Sequence, residues 1–127
     1  NLDLYVADCL NHRIQLFPLD ITDGITVAGA TSSIPTITLN YPMTVILDIN
    51  KYLFIVDTYN SRIVGSNQYG FQCIIGCNGS GSTADQLNEP RSMNFDSFGN
   101  IFVSDAKNNR IQKFQLITNS CSKFNRI

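Results

Sequence analysis

Histidine is nearly missing from this chain: 127 residues hold one, His12, so no histidine-rich metal centre is expected within it. Excess charge is missing as well. Nine Lys and Arg face ten Asp and Glu, and a net charge of −1 offers phosphate backbones and anionic lipid surfaces no attraction. No stretch approaches the roughly 18 consecutive apolar residues that cross a bilayer. Alanine is scarce, 5 residues against 30 of Ile, Val and Thr, and no apolar stripe recurs with helical spacing. Together these exclude a helical fold and point to pleated, half-buried surfaces, a bias that eight Phe and five Tyr reinforce.

The four cysteines, Cys9, Cys73, Cys77 and Cys121, do not form the C-x-x-C spacing of a zinc knuckle or a thiol redox site. Cys73 and Cys121 are equivalent positions 48 residues apart, which point the same way and need not touch. A Cys73–Cys77 bridge demands a tight reversal near Gly76, because an extended run holds the Cα atoms beyond the roughly 7 Å limit. Pairing therefore stays open, as does compartment, between an oxidising extracellular or ectodomain setting, toward which the reading leans, and the cytoplasm. One glycosylation triplet, Asn78-Gly79-Ser80, lies in a Gly/Ser-rich stretch. With 14 Asn and 20 Ser or Thr, chance alone supplies about two such triplets, so the motif decides nothing by itself.

What is present is a phrase stated three times: Leu4-Tyr5-Val6-Ala7-Asp8-x-x-Asn11-x-Arg13-Ile14, Leu53-Phe54-Ile55-Val56-Asp57-x-x-Asn60-x-Arg62-Ile63 and Ile101-Phe102-Val103-Ser104-Asp105-x-x-Asn108-x-Arg110-Ile111. Its aspartates are 49 and then 48 residues apart, a period that signals stacked units, each burying apolar surface on its neighbours. Residues 1–40 form an incomplete first unit, strands two to four with a linker; 41–88 form a complete second unit and linker; 89–127 form a third, expected to be incomplete. The opening residue, Asn1, predicts a start further upstream.

Within a unit, Asn40-Tyr41-Pro42 recurs as Asn88-Glu89-Pro90, and a proline suits a strand's first residue, where no ladder bond is needed. Strands are predicted over Met43 to Asp48 and Arg91 to Asp96, then over the unbroken apolar runs Tyr52 to Val56 and Ile101 to Val103. Such runs lack alternation and so predict burial on both faces. The Asp-x-x-Asn-x-Arg segment predicts an Asx-type turn. Strands Arg13 to Phe17, Arg62 to Ser66 and Arg110 to Phe114 follow. Each arginine is expected to staple a carboxylate, including the Asp of the adjacent unit. Fourth strands, Ile25 to Ala28 and Phe71 to Ile75, end at Gly29 and Gly76. Four antiparallel strands per unit, arranged radially, make a propeller blade.

Pro, a Gly-Asn-like turn, then aromatic-[Ile/Val]-[Val/Ala/Ser]-Asp-x-x-Asn-x-Arg-Ile closely resembles the NHL repeat family. The pattern covers Leu4 to Ile14, Pro42 to Ile63 and Pro90 to Ile111. The resemblance implies an all-β fold, a partial β-propeller of four-stranded antiparallel blades cut from a six-bladed ring, the remaining blades belonging to the same chain. Two departures stand out: Asn50-Lys51 replaces Gly-Asn, and Val64-Gly65-Ser66 replaces an apolar strand end, which predicts looser packing in the middle blade.

The family's members bind protein, peptide or RNA, serve as recognition domains of tripartite-motif ubiquitin ligases, or act as amidating lyases. His12 sits in a turn, and Ser61, Ser104 and Cys9 have no base at a motif spacing, so no catalytic residue, metal or cofactor is expected. Beyond the three repeated arginines the basic residues are scattered, which argues against nucleic acid. A non-enzymatic scaffold for a protein or peptide partner remains. Its candidate binding positions are turn residues that differ between copies, Leu10, His12, Thr58, Tyr59, Ser61, Lys107 and Asn109, together with Arg91. Asp8, Asn11, Arg13, Asp57, Asn60, Arg62, Asp105, Asn108 and Arg110 form the structural repeat motif.

Overall fold

The computed structural model describes residues 2–34, 36–116 and 124–126. These residues form three antiparallel sheets, each a simple meander. Sheet one holds β1 (Leu4–Asp8), β2 (Arg13–Phe17) and β3 (Ile25–Gly29). Sheet two holds β4 (Pro42–Leu47), β5 (Leu53–Asp57), β6 (Arg62–Asn67) and β7 (Gly70–Ile75). Sheet three holds β8 (Pro90–Phe95), β9 (Ile101–Asp105), β10 (Arg110–Leu116) and the short β11 (Phe124–Arg126). The fold is all-β, with no α-helix among the described residues.

The unbroken apolar run of β5 is buried at every position, because sheet two is the middle layer. Alternate side chains serve opposite neighbours. Ile55 and Val64 pack with Ile14, Ala28 and Leu39 against sheet one. Phe54, Val56, Ile63 and Ile75 pack with Leu87, Met93, Ile101, Val103 and Phe114 against sheet three. Both core layers thus share sheet two, and the array is open at each end.

The departures of the middle unit are absorbed locally. The space above Gly65 is taken by the Ile74 methyls, 3.3 Å from where a Cβ would stand, and Val64 is fully buried, so β6 packs tightly despite its small residues. Lys51 occupies the left-handed region (φ 65°) that Gly99 occupies (φ 82°) in the equivalent turn of sheet three. Asp48 and Asp96 secure those two turns, each accepting two backbone amides through Oδ1: Asn50 and Tyr52 at 2.8 and 2.9 Å, Phe98 and Asn100 at 2.9 Å.

Cys73 and Cys77 are joined, with Cα atoms 5.8 Å apart. The reversal that the spacing demands is supplied by Gly76 at φ 75°, where a Cβ would lie 2.5 Å from the Ser61 carbonyl oxygen. Cys9 is free, and Cys121 lies outside the described residues.

Candidate functional site

The repeated aspartate does not cap its own turn, as an Asx reading predicts. The three-residue 3₁₀ turns Cys9–Asn11, Thr58–Asn60 and Ala106–Asn108 carry no side-chain cap. The carboxylate faces inward instead. Oδ2 of Asp8, Asp57 and Asp105 accepts Nε of Arg13, Arg62 and Arg110, each at 2.7 Å and five residues on. The asparagine three residues after each aspartate donates Nδ2 to the same carboxylate. The staple therefore closes within one unit and does not reach the neighbouring aspartate. Arginine at the start of the following strand stands directly opposite its partner, as Asp57 pairs with Arg62 across the hairpin, and that short span sets the choice.

The free carboxylate oxygen does the longer work. Oδ1 of Asp57 accepts the Asn40 amide and Oδ1 of Asp105 accepts the Asn88 amide, both at 2.7 Å. Each fixes the residue two before the proline that opens an inner strand. The arginine's outer nitrogens grip the incoming linker: Arg62 donates to the Thr38 carbonyl, and Arg110 to those of Ser82, Thr83 and Gln86.

Protonation of these carboxylates follows their surroundings. The Arg13 bond, with that of Asn11, holds Asp8 below the usual carboxylate range. Burial pushes Asp105 up, but hydrogen bonds from Asn108, the Asn88 amide, Arg110 and Gln112 outweigh it and leave its carboxyl lowered.

On this frame the turn ends join into one ridge. His12, Ser61 and Asn109 close their turns in the left-handed conformation, at φ 54°, 51° and 51°. His12 Nδ1 accepts the Tyr41 amide at 2.9 Å, and Ser61 Oγ accepts the Glu89 amide at 3.2 Å, so these two turns latch onto the residue just before the first strand of the next sheet. Tyr41 and Glu89 are themselves at positive φ, 56° and 44°. The Tyr41 ring stacks on Tyr59 with centroids 4.7 Å apart, and Glu89 forms an ion pair with Lys107. A hydrogen bond with the Cys9 side chain pushes the Tyr41 hydroxyl's pKa up. The ridge thus runs from His12 through Tyr41, Tyr59, Ser61 and Glu89 to Lys107.

Of the candidate binding residues, Leu10, His12, Tyr59, Lys107, Asn109 and Arg91 are exposed, whereas Thr58 and Ser61 are buried and present no surface to a partner. Arg91 lies on β8, where its carbonyl receives the Thr44 hydroxyl and ties the two inner strands together at 2.9 Å. Sequence reasoning missed Tyr41 and Glu89. The signal was there: each is the unlike middle residue of a recurring Asn-x-Pro.

The ridge repeats one geometry with two chemistries. Tyr41 and Glu89 are equivalent positions, as are Tyr59 and Lys107, so the site of a stacked aromatic pair in sheet two holds an ion pair in sheet three. Tyrosines offer apolar area with a polar tip, and Leu10 is an exposed aliphatic side chain on the first of these turns. Among the described residues, no three His, Cys, Asp or Glu side chains gather where they could hold a metal ion. Nor is any helix long and apolar enough to cross a membrane. Comparison with protein-family models and with curated proteins finds no match.

Proposed function

We propose that this chain is a segment of an NHL-type β-propeller whose turn ridge recognises a protein or peptide partner without catalysis. Three meanders that cover one another's faces, with the two outermost faces open, support the propeller reading, since each sheet is built like a blade awaiting neighbours. One observation carries the recognition reading: an invariant Asp-Asn-Arg frame presents a pair of positions that is Tyr41 and Tyr59 in one unit and Glu89 and Lys107 in the next. Variable contact residues on a fixed frame are how repeat scaffolds discriminate ligands. The exposed Tyr59 and Leu10 are the anchors, aromatic and aliphatic groups set on a rigid turn. The Cys73–Cys77 disulfide supports an oxidising, extracellular or ectodomain compartment.

Selection of a displayed random-peptide library on the immobilised chain tests this. Enriched peptides should lose binding to a Leu10→Ser/Tyr59→Ala variant and keep it to Tyr69→Ala, a change in the β6–β7 turn at the other end of the sheets. Equal binding to both variants, or no enrichment, would overturn the proposal.

A further inference from the structure

We propose that Asn78 is an attachment site for an N-linked oligosaccharide. The triplet alone is no better than chance, but the structure adds three conditions that chance does not supply. First, Cys77, Asn78, Gly79 and Ser80 are all exposed, on the linker that leaves β7 and leads to β8. Second, the middle residue leaves the turn unobstructed: Gly79 takes φ 87°, and a Cβ built there would meet nothing within 4 Å. Third, the triplet begins one residue after the Cys73–Cys77 disulfide, and disulfides persist in the exported compartments where such sugars are attached. This third condition rests on the compartment reading given above.

The Asn78 side chain is already presented in a usable way. Its Nδ2 donates a single hydrogen bond, 3.1 Å long, to Oδ2 of the exposed Asp85. Attachment joins Nδ2 to the anomeric carbon of an oligosaccharide supplied as a lipid-linked diphosphate. The lipid diphosphate leaves with the electrons of the broken carbon–oxygen bond, and Nδ2 gives up one of its two protons. The remaining N–H can still donate to Asp85, so the linker keeps its conformation while carrying the sugar.

The test is export of the 127-residue chain, behind a cleavable signal, from a eukaryotic cell line, with intact-mass measurement before and after peptide-N-glycosidase. The secreted chain should exceed its polypeptide mass by an oligosaccharide, the enzyme should remove that excess, and peptide mapping should then find Asp at position 78. Asn78→Gln and Ser80→Ala should each abolish the excess. An unmodified Asn78 in the exported chain overturns the proposal. The same digest reports on the compartment reading separately: free thiols at Cys73 and Cys77 beside a glycosylated Asn78 refute the disulfide argument alone, whereas an intact bridge beside a bare Asn78 refutes the attachment site alone.

Discussion

At the scale of single residues, one motif has two burial states, which lets position be separated from chemistry. The Asp57 and Asp105 side chains are fully buried, whereas that of Asp8 is 26% exposed, although all three make the same 2.7 Å bond to arginine. Removing the charge of a buried carboxylate strands its half-buried arginine, a loss of about 3 kcal/mol, whereas a partly exposed pair such as Asp8–Arg13 contributes about 1 kcal/mol. Asp105→Asn should therefore destabilise the chain far more than Asp8→Asn in urea unfolding, and equal losses would refute this account. The pH dependence follows with a definite sign. Because the folded Asp105 carboxyl is lowered, its contribution is complete above the unfolded value, about 3.9, and is lost as pH falls from there through the folded value. Wild-type stability should drop over that acid window, and Asp105→Asn should flatten the drop; unchanged slopes would contradict the assignment.

At the scale of elements, the latch between turn and following sheet is the contact to perturb. His12→Ala removes the acceptor of the Tyr41 amide, a bond of about 1 kcal/mol, and should speed hydrogen exchange at that amide roughly fivefold. His12→Asn should restore protection, since asparagine offers an acceptor, tolerates positive φ and already stands at the equivalent position, Asn109. Strand positions were legible in the sequence to within a residue or two, because proline, glycine and the apolar runs punctuate each unit. The double burial of Leu53–Val56 was legible because nothing polar interrupts the run, whereas Tyr52 is half-buried and the equally apolar Ile101–Val103 leaves Phe102 half-buried, since sheet three is covered by a described neighbour on one face alone. The direction of the aspartate was not. Asp-x-x-Asn is compatible with capping its own turn, but the arginine five residues on takes the carboxylate in all three copies, and Asp57 and Asp105 also hold the Asn40 and Asn88 amides 17 residues upstream. Tyr41 and Glu89 were missed for a related reason: their roles come from contacts with turns of another segment, which local spacing does not display.

At the scale of the whole molecule, the two end sheets carry unmatched faces. Ile63 is fully buried between sheets two and three, yet Ile111, at the same position of the last sheet, is 69% exposed. Nearby, the Lys113 ammonium lies 5.5 Å from the Phe102 ring centre, a polar lid over apolar surface. Apolar sheet faces left open invite association. The isolated chain should therefore elute as oligomers in size-exclusion chromatography with light scattering, and Ile111→Lys should shift it toward monomer. A clean monomer with a sharp melting transition would contradict this.

The reach of His12 and Ser61 into the next sheet has a further consequence for how such a chain can grow. Each hydrogen-bonded lock straddles the boundary between successive sequence copies, so the covalent module and the packed module are out of phase. A duplicated stretch of one full period therefore brings in a matching donor and acceptor wherever its endpoints fall. The two locks span 29 and 28 residues, so the connecting chain absorbs a change of one residue while donor and acceptor stay matched.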